Sequence, residues 1–170
     1  MKIRLRPAHP GDREAVLAIV GRPDVSATLI LDPASSAQRY VETGLRGSSG
    51  ALYVYVRNGE IIGGGKLENA SFSYFVHPDF QGRGHGKAIA GRLLSLLLRR
   101  CPAGPVLLTI RRDNSASRSI AEYLGFRFAG ADGLSPHCLH FERAAETDIG
   151  RAAGVLSPDR PRRRPADRLR

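Results

Sequence analysis

This chain has no tryptophan, a single methionine and two cysteines, Cys101 and Cys138, in 170 residues. Two thiols are too few for a disulfide framework or a cysteine-based zinc site, and they are expected to stay reduced, as in the cytoplasm. No apolar run approaches the roughly 20 residues of a membrane-spanning helix. Stretches such as Leu93 to Leu98 are broken by Ser or Arg. The opening MKIRLRPAHP carries charge without an apolar core, so no secretion signal is expected. None of the five histidines stands at ligand spacing from a second metal ligand, so no metal site is expected either. No internal repeat is visible. What remains is ordinary: 42% apolar and 25% charged residues, in a length suited to one domain with at most a tail.

Acidic residues are also scarce. Lys and Arg number 26 against 16 Asp and Glu, a net charge of +10. Half of that excess lies in the last twenty residues, RAAGVLSPDRPRRRPADRLR, with seven arginines against Asp159 and Asp167. Three prolines, no aromatic residue and no periodicity leave this stretch unable to bury enough apolar surface to offset its ordering entropy. We therefore expect a folded domain over 1–145 and a disordered Arg/Pro-rich tail over 146–170. An Arg cluster suits phosphates and anionic surfaces, so a weak nucleic-acid or other anionic contact, or a ribosome- or RNA-associated role for the tail, stays open. Its alternative is a solvated tail in a chain where arginine outnumbers lysine 23 to 3.

In the first 150 residues the hydrophobic periods predict alternating element types. Ile3 and Leu5 alternate with charges, suggesting a strand that ends before Pro7. Asp12 is an apt N-cap for a helix carrying Ala15, Val16, Ile19 and Val20, and a second helix is expected from about Pro33 to Leu45. ALYVYVR, the turn Asn58-Gly59 and EIIGGGKL read as a hairpin, because Asn-Gly suits the positive φ angles of a type I′ turn. Ser71 to Val76 is a further strand and Gly84 to Arg100 the longest helix. VLLTI reads as a short buried strand, and Ser115 to Leu124 as a helix closed by Gly125. Strands at Arg127 to Ala129 and His137 to Glu142 complete an α+β fold, a mixed, mostly antiparallel sheet flanked by helices.

The segment YFVHPDFQGRGHGKAIAGRLL joins a strand to the long helix through a glycine-rich turn. Such a turn aims several backbone N–H groups outward at the positive end of a helix dipole, a ready anion site. Counting excludes two better-known phosphate loops. Gln81 stands where a Walker loop needs glycine, and Lys87 where a dinucleotide fingerprint does.

Gln81-Gly82-Arg83-Gly84-His85-Gly86 resembles the Gln/Arg-x-x-Gly-x-Gly/Ala motif of the GCN5-related N-acetyltransferase (GNAT) superfamily, with Val76-His77-Pro78 ahead of it. NSASRSIAEYLGF, Asn114 to Phe126, is similar to the second family signature, and IRLRPAHPGDREAVLAI to its usual opening. The likeness extends over roughly residues 2–142. It implies an N-acetyltransferase that moves the acetyl group of acetyl-CoA, as cosubstrate, to a primary amine by direct attack in a ternary complex. The amides of Arg83 to Lys87 would hold the coenzyme A pyrophosphate. Phe75 and Val76 would run beside its pantetheine arm, Val76 pairing with it like an added strand. Asn114 would bond that arm or cap its own helix. No metal is implied, and a homodimer is left open.

The usual family Tyr seven residues after the Asn is here Ala121, and Tyr123 is turned well round the helix. That departure looks more like the RimJ/RimL-type branch, which acetylates N-terminal amines. In that branch a carboxylate often precedes the glycine loop at the position of Ser71. Glu68 is the nearest carboxylate, a base acting directly or through water, while Ser117 and Ser119 are conceivable acids. His77 adjoins the expected thioester, and the face of Tyr53 could line an acceptor pocket. A different reading of the same loop is a non-catalytic coenzyme A sensor or scaffold that has lost its acid.

Overall fold

The computed structural model describes residues 3–31, 36–48, 50–100, 104–131, 133 and 135–145. The expected tail, Cys101 and Pro33 lie outside the described residues. The chain runs β1 (Ile3–Pro7), α1 (Arg13–Val20), α2 (Pro23–Thr28), α3 (Ala37–Arg46), β2 (Ala51–Arg57), β3 (Glu60–Glu68) and β4 (Ser71–Val76). It continues through α4 (His85–Arg100), β5 (Val106–Arg111), α5 (Ser115–Tyr123), β6 (Arg127–Ala131) and β7 (Cys138–Arg143).

Most elements fall where their period places them. Asn58 and Gly59 take the positive φ angles the hairpin requires, 49° and 94°. Other expectations are corrected. Asp12 stands at the start of α1 but its side chain makes no capping hydrogen bond. The buried carboxylate instead accepts from both terminal nitrogens of Arg6, at 2.7 and 2.8 Å, and from the His9 amide. A charged bidentate donor outcompetes a helix amide for the same oxygens. The Arg6 hydrogen bonds hold the Asp12 carboxyl below the usual carboxylate range despite its burial. Helix α3 begins after Ser36, whose Oγ accepts the Arg39 N–H, later than the expected start at Pro33. Helix α2 was not foreseen, because six residues are too short for a period to show. Strand β5 is buried on one face only, with Leu107 49% exposed, so the apolar run VLLTI is a half-buried strand.

The strands form one seven-stranded sheet in the order β1-β2-β3-β4-β5-β7-β6, antiparallel except where β4 meets β5. Each face carries its own core. On one, α4 and α5 bury Ile89, Leu93, Leu97 and Ala121 against Ile62, Phe72 and Val76. On the other, α1, α2 and α3 bury Val16, Val20, Val25 and Val41 against Val54, Val56 and Phe75. The alternation of Tyr53 and Tyr55 with Val54 and Val56 divides β2 between the two.

Helix α4 lies hard against β3 because Gly63 and Gly65 leave that face of β3 bare, while the absent side chain of Gly64 makes room for the Phe75 ring on the other. A Cβ at Gly63 would stand 2.9 Å from Ile89 Cδ1, and one at Gly65 would stand 2.5 Å from Leu93 Cδ1. This close approach anchors the N-terminus of α4 beside the end of β4.

Candidate active site

Strands β4 and β5 are parallel neighbours, yet they pair at only one position, Ser71 with Leu107, supported by the Leu107 amide donating to Ala70 O at 2.9 Å. Beyond that point the sheet opens. Three cavities fill and flank the opening. The innermost, about 60 Å³, lies between Phe72, Ser73 and Tyr74 of β4 and Leu108, Thr109 and Ile110 of β5. A cavity of about 420 Å³ adjoins it on the glycine-loop side and shares with it Thr28, Tyr74, Asn114, Ser117 and Ile120. A third, about 560 Å³, lies toward α3 and shares Leu29 and Ser73 with the innermost one. The lining residues thus trace a passage through the sheet, with its narrow waist at residues 73 and 74.

Backbone groups furnish the glycine-loop side. The His77 amide donates to Ile62 O at 2.9 Å, and Val76 is the register partner of Gly63. Antiparallel alternation then turns the N–H and C=O of Tyr74 and Val76 away from β3 and into the opening. Gln81 Nε2 donates to Val76 O at 3.2 Å, so the first motif residue ties the turn to the strand end. Gly82 and Gly84 follow with φ of 70° and 80°, the left-handed region that a side chain disfavours. The Ala88 amide donates to Gly84 O at 3.1 Å as the first rung of α4. The amides before it have no partner within the helix and form its positive end.

The proposed cofactor residues divide by what faces the cavity. Gln81, Gly82, Gly84, Gly86, Lys87, Val76 and Asn114 line it. Phe75 also borders it, but its ring turns into the second core, edge-on to Tyr40. Arg83 and His85 are absent from the lining. Arg83 lies over the Phe80 ring, and the His85 ring packs between Tyr55 and Phe80, which leaves the loop only their amides. Lys87 Nζ stands 3.1 Å from the centre of the Tyr123 ring, so the exposed Tyr123 serves as a seat for that lysine. Asn114 Oδ1 accepts the Ser117 amide at 3.0 Å as the cap of α5, which leaves its Nδ2 donors unspent by the cap. Both expected roles are therefore compatible in one side chain.

The catalytic candidates are rearranged more. Glu68 lines the third cavity, with Oε1 3.0 Å from Lys66 Nζ. Ser71 does not line any of the three cavities, because it sits where β4 and β5 are still paired. Ser119 is exposed on the outer side of α5 and lines none of them either. Ser73, not considered from the sequence, and Ser117, the other candidate acid, are the serines that line the cavities. Ser73 Oγ is 2.8 Å from Tyr40 Oη, and Tyr74 Oη donates to Ser117 Oγ at 3.0 Å. Burial raises the Tyr74 hydroxyl above its ordinary range, partly offset by Ser117, and raises that of Tyr40 further. Both phenols remain proton donors at neutral pH. His77 Nδ1 accepts the Asp79 amide and serves its own turn. Tyr53 is buried beneath α4, where its hydroxyl accepts from Arg100 at 2.6 Å, and it does not line the third cavity.

Tyr74 and Tyr40 were the residues least visible beforehand. Their signal was weak: tyrosines at periodic positions read as core, and only the opening of the sheet turns them toward a site. Among the described residues no cluster of three or more His, Cys, Asp or Glu could hold a metal ion, and no helix is long and apolar enough to cross a membrane.

The sheet thus opens between two parallel strands, with helix amides at one mouth and a cavity lined in part by polar side chains at the other. Residues 2–127 match the acetyltransferase (GNAT) domain, and the chain belongs to the GNAT acetyltransferase family. It is 32% identical over 130 residues to acetyltransferase ECA0875 of Pectobacterium atrosepticum, covering 73% of this chain and 87% of that one. Among solved structures it resembles aminoglycoside acetyltransferase AAC(6')-Ib in complex with coenzyme A, with TM-score 0.70 and 16% identity over 89% of this chain and 99% of that one. It also resembles YncA of Salmonella typhimurium with acetyl-CoA, with TM-score 0.70 and 19% identity over 86% of this chain and 95% of that one. RimL, a ribosomal L7/L12 α-N-protein acetyltransferase in complex with coenzyme A, matches with TM-score 0.68 and 19% identity over 87% of this chain and 97% of that one.

Proposed function

We propose that this chain binds acetyl-CoA at the glycine loop and transfers the acetyl group to an α-amine by direct attack in a ternary complex. The observation that carries this reading is the passage through the sheet, which lets a thioester on one side meet an amine on the other. The loop suits the coenzyme: amides at a helix N-terminus favour a pyrophosphate, and the outward N–H and C=O of Val76 and Tyr74 favour an amide-bearing arm laid along the strand edge.

In the reaction the amine nitrogen bonds to the thioester carbonyl carbon, the carbon–sulfur bond breaks, the amine loses a proton and the thiolate gains one. A strand-edge N–H such as that of Val76 is the donor for the developing oxyanion. Glu68, at the cavity on the amine side, is the base, directly or through water. The Tyr74 hydroxyl, held by Ser117 at the waist of the passage, is the proton donor to the thiolate in place of the Tyr that Ala121 replaces. The lack of that Tyr also favours the RimJ/RimL-type branch, and with it an α-amine over a side-chain amine.

Thiol release from acetyl-CoA, followed over a panel of amines, tests the transfer. Turnover with any acceptor is the expected result. Coenzyme A binding by calorimetry with no turnover across the panel would leave a binding module instead. For the donor, Tyr74→Phe is expected to lower kcat about 100-fold with coenzyme A affinity kept. An unchanged kcat removes Tyr74 from the chemistry.

A further inference from the structure

Residues 73 and 74 are consecutive on β4, so their side chains turn to opposite faces of the sheet just where it opens. Tyr74 turns to the glycine-loop side. Ser73 turns the other way and lines both the innermost cavity and the third one. Its Oγ is 2.8 Å from Tyr40 Oη of α3. The surroundings of Tyr40 set the direction of that bond. Tyr40 is buried, and among the described residues Ser73 Oγ is the acceptor its hydroxyl reaches. If Tyr40 accepted instead, its own hydrogen would be buried without a partner, a costly arrangement. A phenol is also the stronger acid of the two hydroxyls, hence the better donor. Tyr40 therefore donates to Ser73, and the hydrogen of Ser73 is left unspent.

The Tyr40 ring is held on two sides. It lies edge-on to Phe75, with centroids 6.5 Å apart, and Lys66 Nζ stands 5.3 Å from its centre. A hydrogen bond received at Ser73 Oγ polarises the Ser73 O–H, because bonds in a chain strengthen one another. An unspent, polarised donor thus stands at the waist of the passage. Under the transfer reading, on which this step rests, thioester and amine meet there. Two atoms on the amine side could accept from it. The amine nitrogen spends its lone pair on the new carbon–nitrogen bond, so a hydrogen bond to it weakens during attack. The carbonyl oxygen gains charge as the tetrahedral intermediate forms, so a hydrogen bond to it strengthens. We infer that Ser73 is a second donor to the developing oxyanion beside the strand-edge amide, and that Tyr40 is the positioning residue that directs it. No proton leaves either hydroxyl in this role.

Steady-state thiol release is measured with the fastest amine of the panel. Ser73→Ala is expected to lower kcat and kcat/KM together, about 100-fold, with coenzyme A affinity by calorimetry kept. Tyr40→Phe keeps the ring and its packing and should lower kcat about fivefold, the worth of one ordinary hydrogen bond. In the Ser73→Ala background the same change should cost no further rate, because Tyr40 acts only through Ser73. Equal losses from Tyr40→Phe in both backgrounds would make Tyr40 merely structural and overturn its role. Ser73→Ala also orphans the Tyr40 hydroxyl, so thermal melting accompanies each rate. The double variant lacks that orphan and should show the same 100-fold loss as a folded protein. An unchanged kcat in Ser73→Ala, or a raised KM for the amine with kcat kept, overturns the oxyanion assignment while leaving acetyl transfer intact. Unaltered protein that binds coenzyme A and turns over no amine overturns both.

Discussion

Two glycine clusters, only seventeen residues apart, do opposite work. Gly63, Gly64 and Gly65 sit inside β3, while Gly82, Gly84 and Gly86 surround the start of α4. In the first cluster a Cβ at Gly65 would meet Ser73 O and Leu93 Cδ1, and one at Gly63 would meet Phe75 O at 2.6 Å. At Gly82 and Gly84 a Cβ would meet nothing within 4 Å, and both have positive φ. The space spared in β3 is taken up by the protein's own helix. The space spared at the loop is filled by no part of the described chain and opens on the cavity of about 420 Å³. Gly47 and Gly59 are as open as Gly82 and Gly84, so emptiness marks a turn, and the helix N-terminus behind Gly84 is what makes this turn a candidate anion site.

The sharpest way to break that contrast is to fill each space. Gly84→Glu should abolish coenzyme A binding, at least about 1,000-fold in Kd, because its carboxylate would lie against the same helix amides. Stability should fall by only about 1 kcal/mol, the cost of a side chain at positive φ. Calorimetry and a denaturant titration on one sample separate the two, and retained affinity would remove the pyrophosphate from this loop. Gly65→Val should do the reverse. It should lose about 3 kcal/mol of stability by overpacking against backbone and Leu93, while the fraction that still folds binds coenzyme A normally. Weakened binding with unchanged stability would mean that β3 belongs to the site rather than to its support.

Much of this is legible in the sequence, and the pattern follows the same contrast. A backbone site is written locally: Gln81 through Lys87 are contiguous, and a helix N-terminus offers its amides whatever the neighbouring side chains are. The hairpin at Asn58-Gly59 is likewise a local matter of φ. The third cavity is assembled from Leu29, Arg39, Tyr40, Lys66, Glu68 and Ser73, which only the register of β3 on β4 and the seat of α3 bring together. No spacing rule connects Lys66 to Thr43. Ser71 lines none of the three cavities for a related reason: where β4 leaves β5 is a tertiary fact, and the sheet opens two residues later, at Ser73. Of the two candidate serines of α5, rotation about the helix turns Ser117 toward Tyr74 and leaves Ser119 exposed.

Gly86 is the smallest test and the most discriminating, because it belongs to the loop by sequence and partly to the seam by structure. It is already inside α4, and a Cβ there would stand 3.3 Å from Ile120 Cδ1 and 3.5 Å from Tyr74 Cε2. The nearest atom is the far end of a flexible side chain, so a shift of a few tenths of an ångström relieves it. Against that small strain stands the roughly 1 kcal/mol by which alanine exceeds glycine in a helix. Gly86→Ala should therefore leave stability unchanged or raised by about 0.5 kcal/mol. Gly86 also lines the cavity beside Lys87, so the added methyl should narrow it and weaken coenzyme A binding by about threefold, roughly 0.6 kcal/mol. A loss of more than about 2 kcal/mol of stability would place Gly86 with the β3 glycines as a packing residue. A gain in stability with slightly weakened binding would show that one side of a single glycine serves the fold and the other the ligand.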